Sequence, residues 1–305
     1  MALSHDPLWR RAGSWPEFDG AADAVLLGVP TWRTSLSPTG AHATPAAIRD
    51  ALPRYGATLM GPPIVDLNEA LRISDAGDVS EPDGDAGEAT VIERVRELSD
   101  AAELVIALGG DNSLTYPVAL GARATGLITF DAHFDLRDGV SNGTPVRRLV
   151  QDDPAASDLE TARIDPTRIV QIGIADFANS AAYAQRAADW GIRVITLDEL
   201  RRRGIHEVVA EALEIAGAGT APRVHLDIDV DVCDRSVAPG CPASVPGGLQ
   251  AWELRALSRA VASDARVVSA DLAEVDSTAD ADDARTVRLA ALCVLELLAG
   301  LAARH

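Results

Sequence analysis

Short apolar runs recur along the chain at residues 24–29, 104–108, 127–130, 168–174, 193–197, 224–231 and 266–272. They are rich in Val, Ile and Leu with no polar side, the pattern of strands covered on both faces of a parallel sheet. Between them the apolar spacing lengthens to that of helices at 46–52, 89–103, 113–121, 180–191, 205–215, 251–262 and 284–302. This alternation predicts a three-layer α/β/α sandwich around a mainly parallel sheet. No Pro/Ser linker, composition break, internal repeat or low-complexity tract interrupts the 305 residues, so one domain spanning 1–305 is expected. The polar stretches 74–86 and 151–161 read as solvated loops.

Polar residues concentrate where the apolar runs end, and in an open α/β sheet the ligand crevice lies outside the carboxyl ends of the strands. Gly109-Gly110-Asp111-Asn112 follows 104–108, and Asp131-Ala132-His133-Phe134-Asp135 follows 127–130. Asp229 and Asp231 close 224–231, and Glu274 comes just after 266–272. Asp131, His133 and Asp135 alternate, as do Asp227, Asp229 and Asp231; on extended strand each run would aim three side chains one way. Two carboxylates about 7 Å apart repel by roughly 2–3 kcal/mol at an effective dielectric of about 20. A divalent cation removes that repulsion, and carboxylates mixed with imidazole suit Mn2+, Fe2+ or Zn2+ better than Ca2+. An EF-hand reading of the second run fails. With Asp227 as its first position, Val232 stands where the loop needs Gly and Ala238 where it needs Glu.

Composition narrows the classes. Hydrophobic residues at 47% and charged residues at 24% are those of an ordinary folded protein, and aromatics at 4% leave the core to Ala, Val, Leu and Ile. A net charge of −19 makes nucleic acid an unsuitable partner, since phosphate binding needs a basic surface. Cys233, Cys241 and Cys293 lack metal-type spacing and form an odd set, which fits a reducing cytoplasm better than a disulfide scaffold. Residues 1–20 have no apolar core after a basic start, so no signal peptide is expected, and the greasy stretch 289–303 is broken by Glu296 and too short to span a membrane. His225 reads as core-facing, Cys233 as a buried inert thiol, and His5, His42, His206 and His305 as surface residues. Neither a Gly-x-Ser-x-Gly elbow nor a Walker-type loop is present.

Taken together the motifs resemble those of the arginase/agmatinase/formimidoylglutamase (ureohydrolase) family over nearly the whole chain. Pro38-Thr39-Gly40-Ala41 with Pro45-Ala46-Ala47-Ile48-Arg49 is similar to its early Gly-Ala…Gly-Pro-x-x-Ile-Arg segment, and Gly109-Gly110-Asp111-Asn112-Ser113 to its Gly-Gly-Asp-His-Ser motif. Asp131-Ala132-His133-Phe134-Asp135 matches Asp-Ala-His-x-Asp outright. The segment from His225 to Asp234, with Ala238-Pro239-Gly240, resembles Ser-x-Asp-x-Asp-x-x-Asp-Pro…Pro-Gly; Val245-Pro246-Gly247-Gly248-Leu249 and Asp271-Leu272-Ala273-Glu274-Val275 match later segments. The resemblance implies an arginase-like domain with two Mn2+ ions at the carboxyl edge of the sheet. Asp131 and Asp229 would bridge them, Asp135 and Asn112 would serve one, and His133 and Asp231 the other. Paired cations would activate a water towards an amidine carbon, with Asp131 and Asp229 in the catalytic set and Glu274 orienting the amidine nitrogens. It also implies a homo-oligomer, a trimer or a hexamer.

The chain departs from the family pattern at three places. Asn112 stands where the ligand is usually His, which allows a single ion in place of two; Asp227 stands where Ser is usual, and Arg235 where Pro is usual. Within the family, Ser141-Asn142-Gly143-Thr144-Pro145-Val146-Arg147 lacks the His that arginase-like members carry in this loop. Together with Phe134-Asp135-Leu136-Arg137 and the run from Gly173 to Ser180, it is closer to formimidoylglutamase. The expected substrate is then N-formimidoyl-L-glutamate, cleaved to L-glutamate and formamide in histidine degradation. Arg137 and Arg147 would pair with its carboxylates, and Asn142, Asn179 and Ser180 would add neutral hydrogen bonds. Two other readings stay open: an agmatinase or guanidino-acid hydrolase releasing urea, and a ureohydrolase-fold binding protein impaired by Asn112.

Overall fold

Leu26 packs with one buried layer while its neighbours Val25 and Leu27 pack with the other, because successive strand residues face opposite sides. The whole sheet is covered in this way. The computed structural model describes residues 6–151 and 164–305, so His5 and residues 152–161 of the second polar stretch lie outside it. The strands are β1 (Ala22–Val29), β2 (Thr58–Leu59), β3 (Val65–Asp66), β4 (Ile73–Asp78), β5 (Ala102–Gly109), β6 (Gly126–Phe130), β7 (Ile169–Ile174), β8 (Arg193–Thr196), β9 (Val224–Asp229) and β10 (Val267–Ala273). Eight of them form one sheet in the order β4-β1-β5-β10-β9-β6-β7-β8, and every pairing in it is parallel. β2 and β3 make a separate antiparallel pair.

The helices are α1 (Thr44–Ala51), α2 (Leu67–Ala70), α3 (Gly84–Ser99), α4 (Thr115–Gly121), α5 (Pro145–Val150), α6 (Ala181–Trp190), α7 (Leu197–Arg203), α8 (Ile205–Ala216), α9 (Ala251–Ala262) and α10 (Arg285–Ala302). α8, α9 and α10 share a core with Leu226, Ile228 and Leu272, whereas α3 and α4 pack on Val25, Leu27 and Val105 from the opposite side. The three layers expected from strand–helix alternation are present. α6 shows how local chemistry sets a boundary: the Ser180 hydroxyl accepts from the Tyr183 amide at one end, and Gly191 at φ 77° closes the other. None of the helices among the described residues is long and apolar enough to cross a membrane.

Residues 74–86 are not a solvated loop. They hold most of β4 and the first turn of α3. β4 is an edge strand, so Asp75 and Asp78 can sit on it half in water, where Arg49 pairs with both at 2.7 and 2.5 Å. A second difference touches the acidic runs themselves. β6 ends at Phe130 and β9 at Asp229, so Asp131–Asp135 is irregular chain and Asp231 lies in a 3-10 turn, residues Val230–Val232. Strand alternation therefore carries Asp227 and Asp229 but not the other ligand-type residues, which turns and loops aim instead.

The middle of the sheet is where the chain changes direction: β5 and β6 are consecutive in sequence yet separated by β10 and β9. Four strand ends meet there, and the close approach is secured by glycine. At Gly110 a Cβ would lie 2.0 Å from the Thr31 carbonyl oxygen, and the Asp111 amide donates to that same oxygen at 2.9 Å. Gly110→Ala should push apart the ends of β1 and β5 and lower stability by about 3 kcal/mol. Urea denaturation of the metal-free protein measures this; a change below about 0.5 kcal/mol would contradict it.

Candidate metal centre and active site

Asp131, the residue after β6, has a fully buried carboxylate. Its Oδ1 accepts from the His133 amide at 2.5 Å, and its Oδ2 is buried with no hydrogen-bond partner. His133 Nδ1 lies 2.6 Å from Asp231 Oδ2 and 3.6 Å from Asp131 Oδ1. The potential donor atoms of Asp131, His133 and Asp231 all fall within 4.8 Å of one another. Asp231 is placed by two amides: its own donates to Asp229 Oδ1 at 2.8 Å, and that of Ala132 donates to Asp231 Oδ1 at 3.0 Å. Asp229, Asp231, Asp135 and Asn112 are all buried within this rim. Asp135 and Glu274 sit at φ 52° and 61°. Such left-handed backbone at non-glycine residues costs about 1–3 kcal/mol each and is found where a site demands it.

So many buried carboxylates disturb one another's ionisation. Burial first, then Asp135 and Asp231, raise the Asp131 pKa well above the usual carboxylate range; burial with Asp231 and Asp131 does the same for Asp229. Burial also carries Asp135 up to about 7, against the pull of His133. For His133 burial acts downward, yet the Asp231 and Asp131 carboxylates outweigh it and push the imidazole up to about 12. Asp231 gains from the same pair: burial raises its pKa, but the imidazolium brings it below the ordinary value. A proton on His133 thus sets positive charge between the Asp131 and Asp231 carboxylates.

Asn112 presents its amide nitrogen to Asp135, Nδ2 donating to Oδ2 at 2.7 Å, while its Oδ1 accepts from the Thr115 hydroxyl at 2.7 Å. Turned this way, its oxygen faces away from Asp135. Glu274 Oε1 accepts from the Asn112 backbone amide and from Asn142 Nδ2, both at 2.8 Å, and Oε2 has no partner among the described residues. Burial, with Asp111 adding like charge, raises the Glu274 pKa to about 8.

These groups open into a cleft of about 430 Å3. Its wall includes His133, Asp135, Asp229, Asp231 and Glu274, together with Arg137, Asn142, Asn179, Ser180 and Tyr183. Of the five residues expected to hold substrate, the structure treats them differently. The Arg137 guanidinium lines the cleft and has no hydrogen bond or ion pair among the described residues. Arg147 is not in the wall: its guanidinium donates to the carbonyls of Arg137 at 2.7 Å and Gly139 at 2.6 Å, bracing the loop that carries Arg137. Asn179 spends both ends of its amide, donating to the Ala132 carbonyl at 2.8 Å and accepting from the Phe134 amide at 3.1 Å. Ser180 caps α6. Asn142 bonds Glu274 and, through Oδ1, accepts from the Leu36 amide at 3.0 Å.

Three features escaped the sequence reading. Leu36 and Ser37, in the segment after β1, line the cleft, and so do Pro242 and Ala243. Only the proximity of 36–37 to the Pro38-Thr39-Gly40-Ala41 motif hinted at the former. Arg235 stabilises the latter, donating to the carbonyl of Cys241 at 2.5 Å and to Ser244 Oγ at 3.3 Å, which gives a reason for an Arg at that position. The third is a fully buried polar row beneath the ligands. In-register pairing aligns Asp271, Asp227, Thr129 and Gln171 across β10, β9, β6 and β7. His225 joins it, with Nε2 3.0 Å from Asp271 Oδ2 and Nδ1 2.8 Å from Ser269 Oγ. Among the described residues Asp227 meets no N–H or hydroxyl donor and faces only the Asp271 carboxyl, and burial followed by Asp271 lifts its pKa well above normal.

The model of the Arginase family matches residues 22–300. A formimidoylglutamase of Bacillus subtilis (strain 168) is 34% identical over 292 residues, covering 91% of this chain and 86% of that protein. The crystal structure of formimidoylglutamase from Bacillus subtilis subsp. subtilis str. 168 superposes with a TM-score of 0.87 at 30% identity, covering 99% of this chain and 94% of that one. A structure of Trypanosoma cruzi formiminoglutamase with Mn2+2 superposes with a TM-score of 0.80 at 26% identity, covering 93% and 95%.

Two outcomes follow from the charges. In the metal-free protein the stabilisation from protonated His133 is complete below its unfolded value near 6.5 and fades only as pH climbs towards about 12. A cation that ligates the imidazole must displace this proton, so Mn2+ should bind with proton release and about tenfold tighter per pH unit per proton between pH 6 and 8. Calorimetry in buffers of different ionisation enthalpy reads the release directly; binding without it would refute the pairing. Separately, Asp227→Asn should leave the metal-free protein as stable or more stable by about 1–2 kcal/mol, since it removes an uncompensated buried acid. A loss above about 3 kcal/mol in denaturation would show that the acid has a partner of its own.

Proposed function

The chain belongs to the arginase family, and from that premise we propose that it hydrolyses N-formimidoyl-L-glutamate to L-glutamate and formamide with manganese as its cofactor. The observation that carries the substrate is Arg137 in the wall of the cleft that also holds the acidic residues, its guanidinium without a hydrogen bond or ion pair among the described residues. The donor set fits the metal. It offers hard carboxylates and one imidazole, and the buried Asp131 Oδ2 has no other partner. Asp131 and Asp229 would be shared between two cations, with His133 and Asp231 completing one site and Asp135 and Asn112 the other. Coordination by Asn112 requires its amide to turn so that Oδ1 replaces Nδ2 towards Asp135. When bound, the manganese supplies Lewis acidity and a water acidified enough to act as nucleophile near neutral pH.

The rest is work for side chains. Water adds its oxygen to the formimidoyl carbon, the bond from that carbon to the glutamate nitrogen breaks, and the departing amine takes up a proton. Asn112 and Asn142 hold Oε1 of Glu274, which lines the cleft, and Oε2 has no partner among the described residues, so the carboxylate can accept from an amidine N–H. A charge-assisted bond of this kind fixes the carbon in line for attack. Arg137 pairs with a substrate carboxylate, and the Leu36–Ser37 segment lines the same cleft.

Direct assay of purified, Mn2+-loaded protein against formimidoylglutamate and guanidino compounds decides the substrate. Formamide and glutamate are expected; urea from a guanidino compound, with formimidoylglutamate untouched, would overturn the assignment. Arg137→Ala should raise KM by about 10–100-fold and leave kcat within about threefold, because the carboxylate contact persists unchanged through the reaction. An unchanged KM would remove Arg137 from the binding site.

A further inference from the structure

We infer that Asn142 is a positioning residue that locks the Glu274 carboxylate and ties it to the cleft-lining segment at Leu36, so that this part of the wall and the amidine-orienting acid are held as one unit. This rests on the reading of the site as an amidine hydrolase. The sequence suggests a substrate contact for Asn142, but its amide has both ends engaged with the protein itself. Nδ2 donates to Glu274 Oε1 at 2.8 Å and Oδ1 accepts from the Leu36 amide at 3.0 Å. These partners are 132 and 106 residues away in sequence, so the side chain joins two segments that nothing local holds together.

Glu274 needs such a hold. Its backbone is at φ 61°, and its neighbourhood is acidic, with Asp111 and Asp231 both adding like charge. Two donors converge on Oε1, one from the Asn112 backbone and one from Asn142. The first is fixed by the turn after β5. The second sits on the loop before α5, which is itself organised around Thr144. The Ser141 amide donates to Thr144 Oγ1 at 3.1 Å, and that hydroxyl donates to the Ser141 carbonyl at 2.7 Å. Gly143 allows this loop to approach, since a Cβ there would fall 2.7 Å from the Arg137 side chain. Asn142 therefore stands between the residue that holds the substrate tail and the one that aims its amidine. A neutral donor suits the position, because it fixes a carboxylate without cancelling its charge.

The consequence is kinetic. A side chain that aims Glu274 affects the barrier more than binding, whereas a substrate contact appears chiefly in KM. In Mn2+-loaded enzyme with formimidoylglutamate, Asn142→Ala should lower kcat by about 30–100-fold with KM within about threefold and metal content unchanged. Amide hydrogen exchange provides a second reading that needs no turnover. In Asn142→Ala, the Leu36 and Asn112 amides should both exchange at least about tenfold faster, because each donates into the bonded chain Leu36–Asn142–Glu274–Asn112. Asn142→Asp keeps an acceptor for Leu36 but replaces the donor to Glu274 with like charge. Leu36 should then stay protected, Asn112 should lose protection, and kcat should fall at least as far as in the alanine variant.

A kcat within about threefold of wild type, or a loss confined to KM, would overturn the proposal and return Asn142 to substrate contact. So would unchanged exchange at Asn112 in both variants. Wild-type enzyme inactive on formimidoylglutamate would instead defeat the functional reading, and the exchange pattern alone would then decide whether Asn142 couples Leu36 to Glu274.

Discussion

Uncompensated negative charge at the centre of the sheet is the constraint from which the rest follows. Asp111, Asp131, Asp135, Asp227, Asp229, Asp231, Asp271 and Glu274 are all buried there. Two such charges 4 Å apart repel by about 4 kcal/mol even at an effective dielectric near 20. Without metal the protein relieves this by protons: the pKa values of Asp131, Asp229, Asp135 and Glu274 move up, and His133 keeps its proton far above the usual imidazole range. Cations can replace those protons wholesale. The buried carboxylates and the imidazole of the rim are a donor set that suits a divalent cation.

Holding that arrangement falls to the backbone. Parallel register runs to Phe130↔Ile228, Leu272↔Leu108 and Ala273↔Asp229, and most of the candidate site residues lie just beyond it. Four strand termini are packed without room for Cβ atoms at Gly110 and Gly173, where a methyl group would meet Thr31 and Val232. The Glu274 amide donates to the Gly110 carbonyl at 2.9 Å, so the loop after β5 and the end of β10 are a single unit. Left-handed backbone at Asp135 and Glu274 is tolerated because tightly paired neighbours over-determine it.

Much of this was legible in the chain. Apolar runs with both faces Val/Ile/Leu-rich identify a covered parallel sheet, and motifs at their carboxyl ends locate the rim. Residue spacing misled where regular structure stops. Asp131, His133 and Asp135 look like a strand face, yet they lie beyond β6, and Asp231 reaches His133 only because a turn follows Asp229. β4 was hidden because an edge strand can carry Ser74, Asp75 and Asp78, whose partner Arg49 is on another element. Charge could not separate Arg137 from Arg147 either: the same residue type serves the cleft in one case and loop carbonyls in the other. Such distinctions depend on contacts between segments far apart in sequence, which no local pattern records.

Selectivity depends on both parts of the substrate. A formamidine and a guanidinium are both flat, cationic and rich in N–H donors, so the acidic rim and Glu274 suit either one. Discrimination has to come from the tail. Arg137 lines the cleft with no ion pair among the described residues, and its loop is held by Arg147 through the carbonyls of Arg137 and Gly139. A carboxylate tail gains a charge-assisted pair there, worth about 1.5–3 kcal/mol, whereas an ammonium tail meets like charge. The difference between the two tails is then a factor of about ten to a few hundred or more in binding, larger than any preference the amidine end can express. On the proposed reading, the acidic interior suits amidines in general, and the Arg137 guanidinium would favour those with anionic tails.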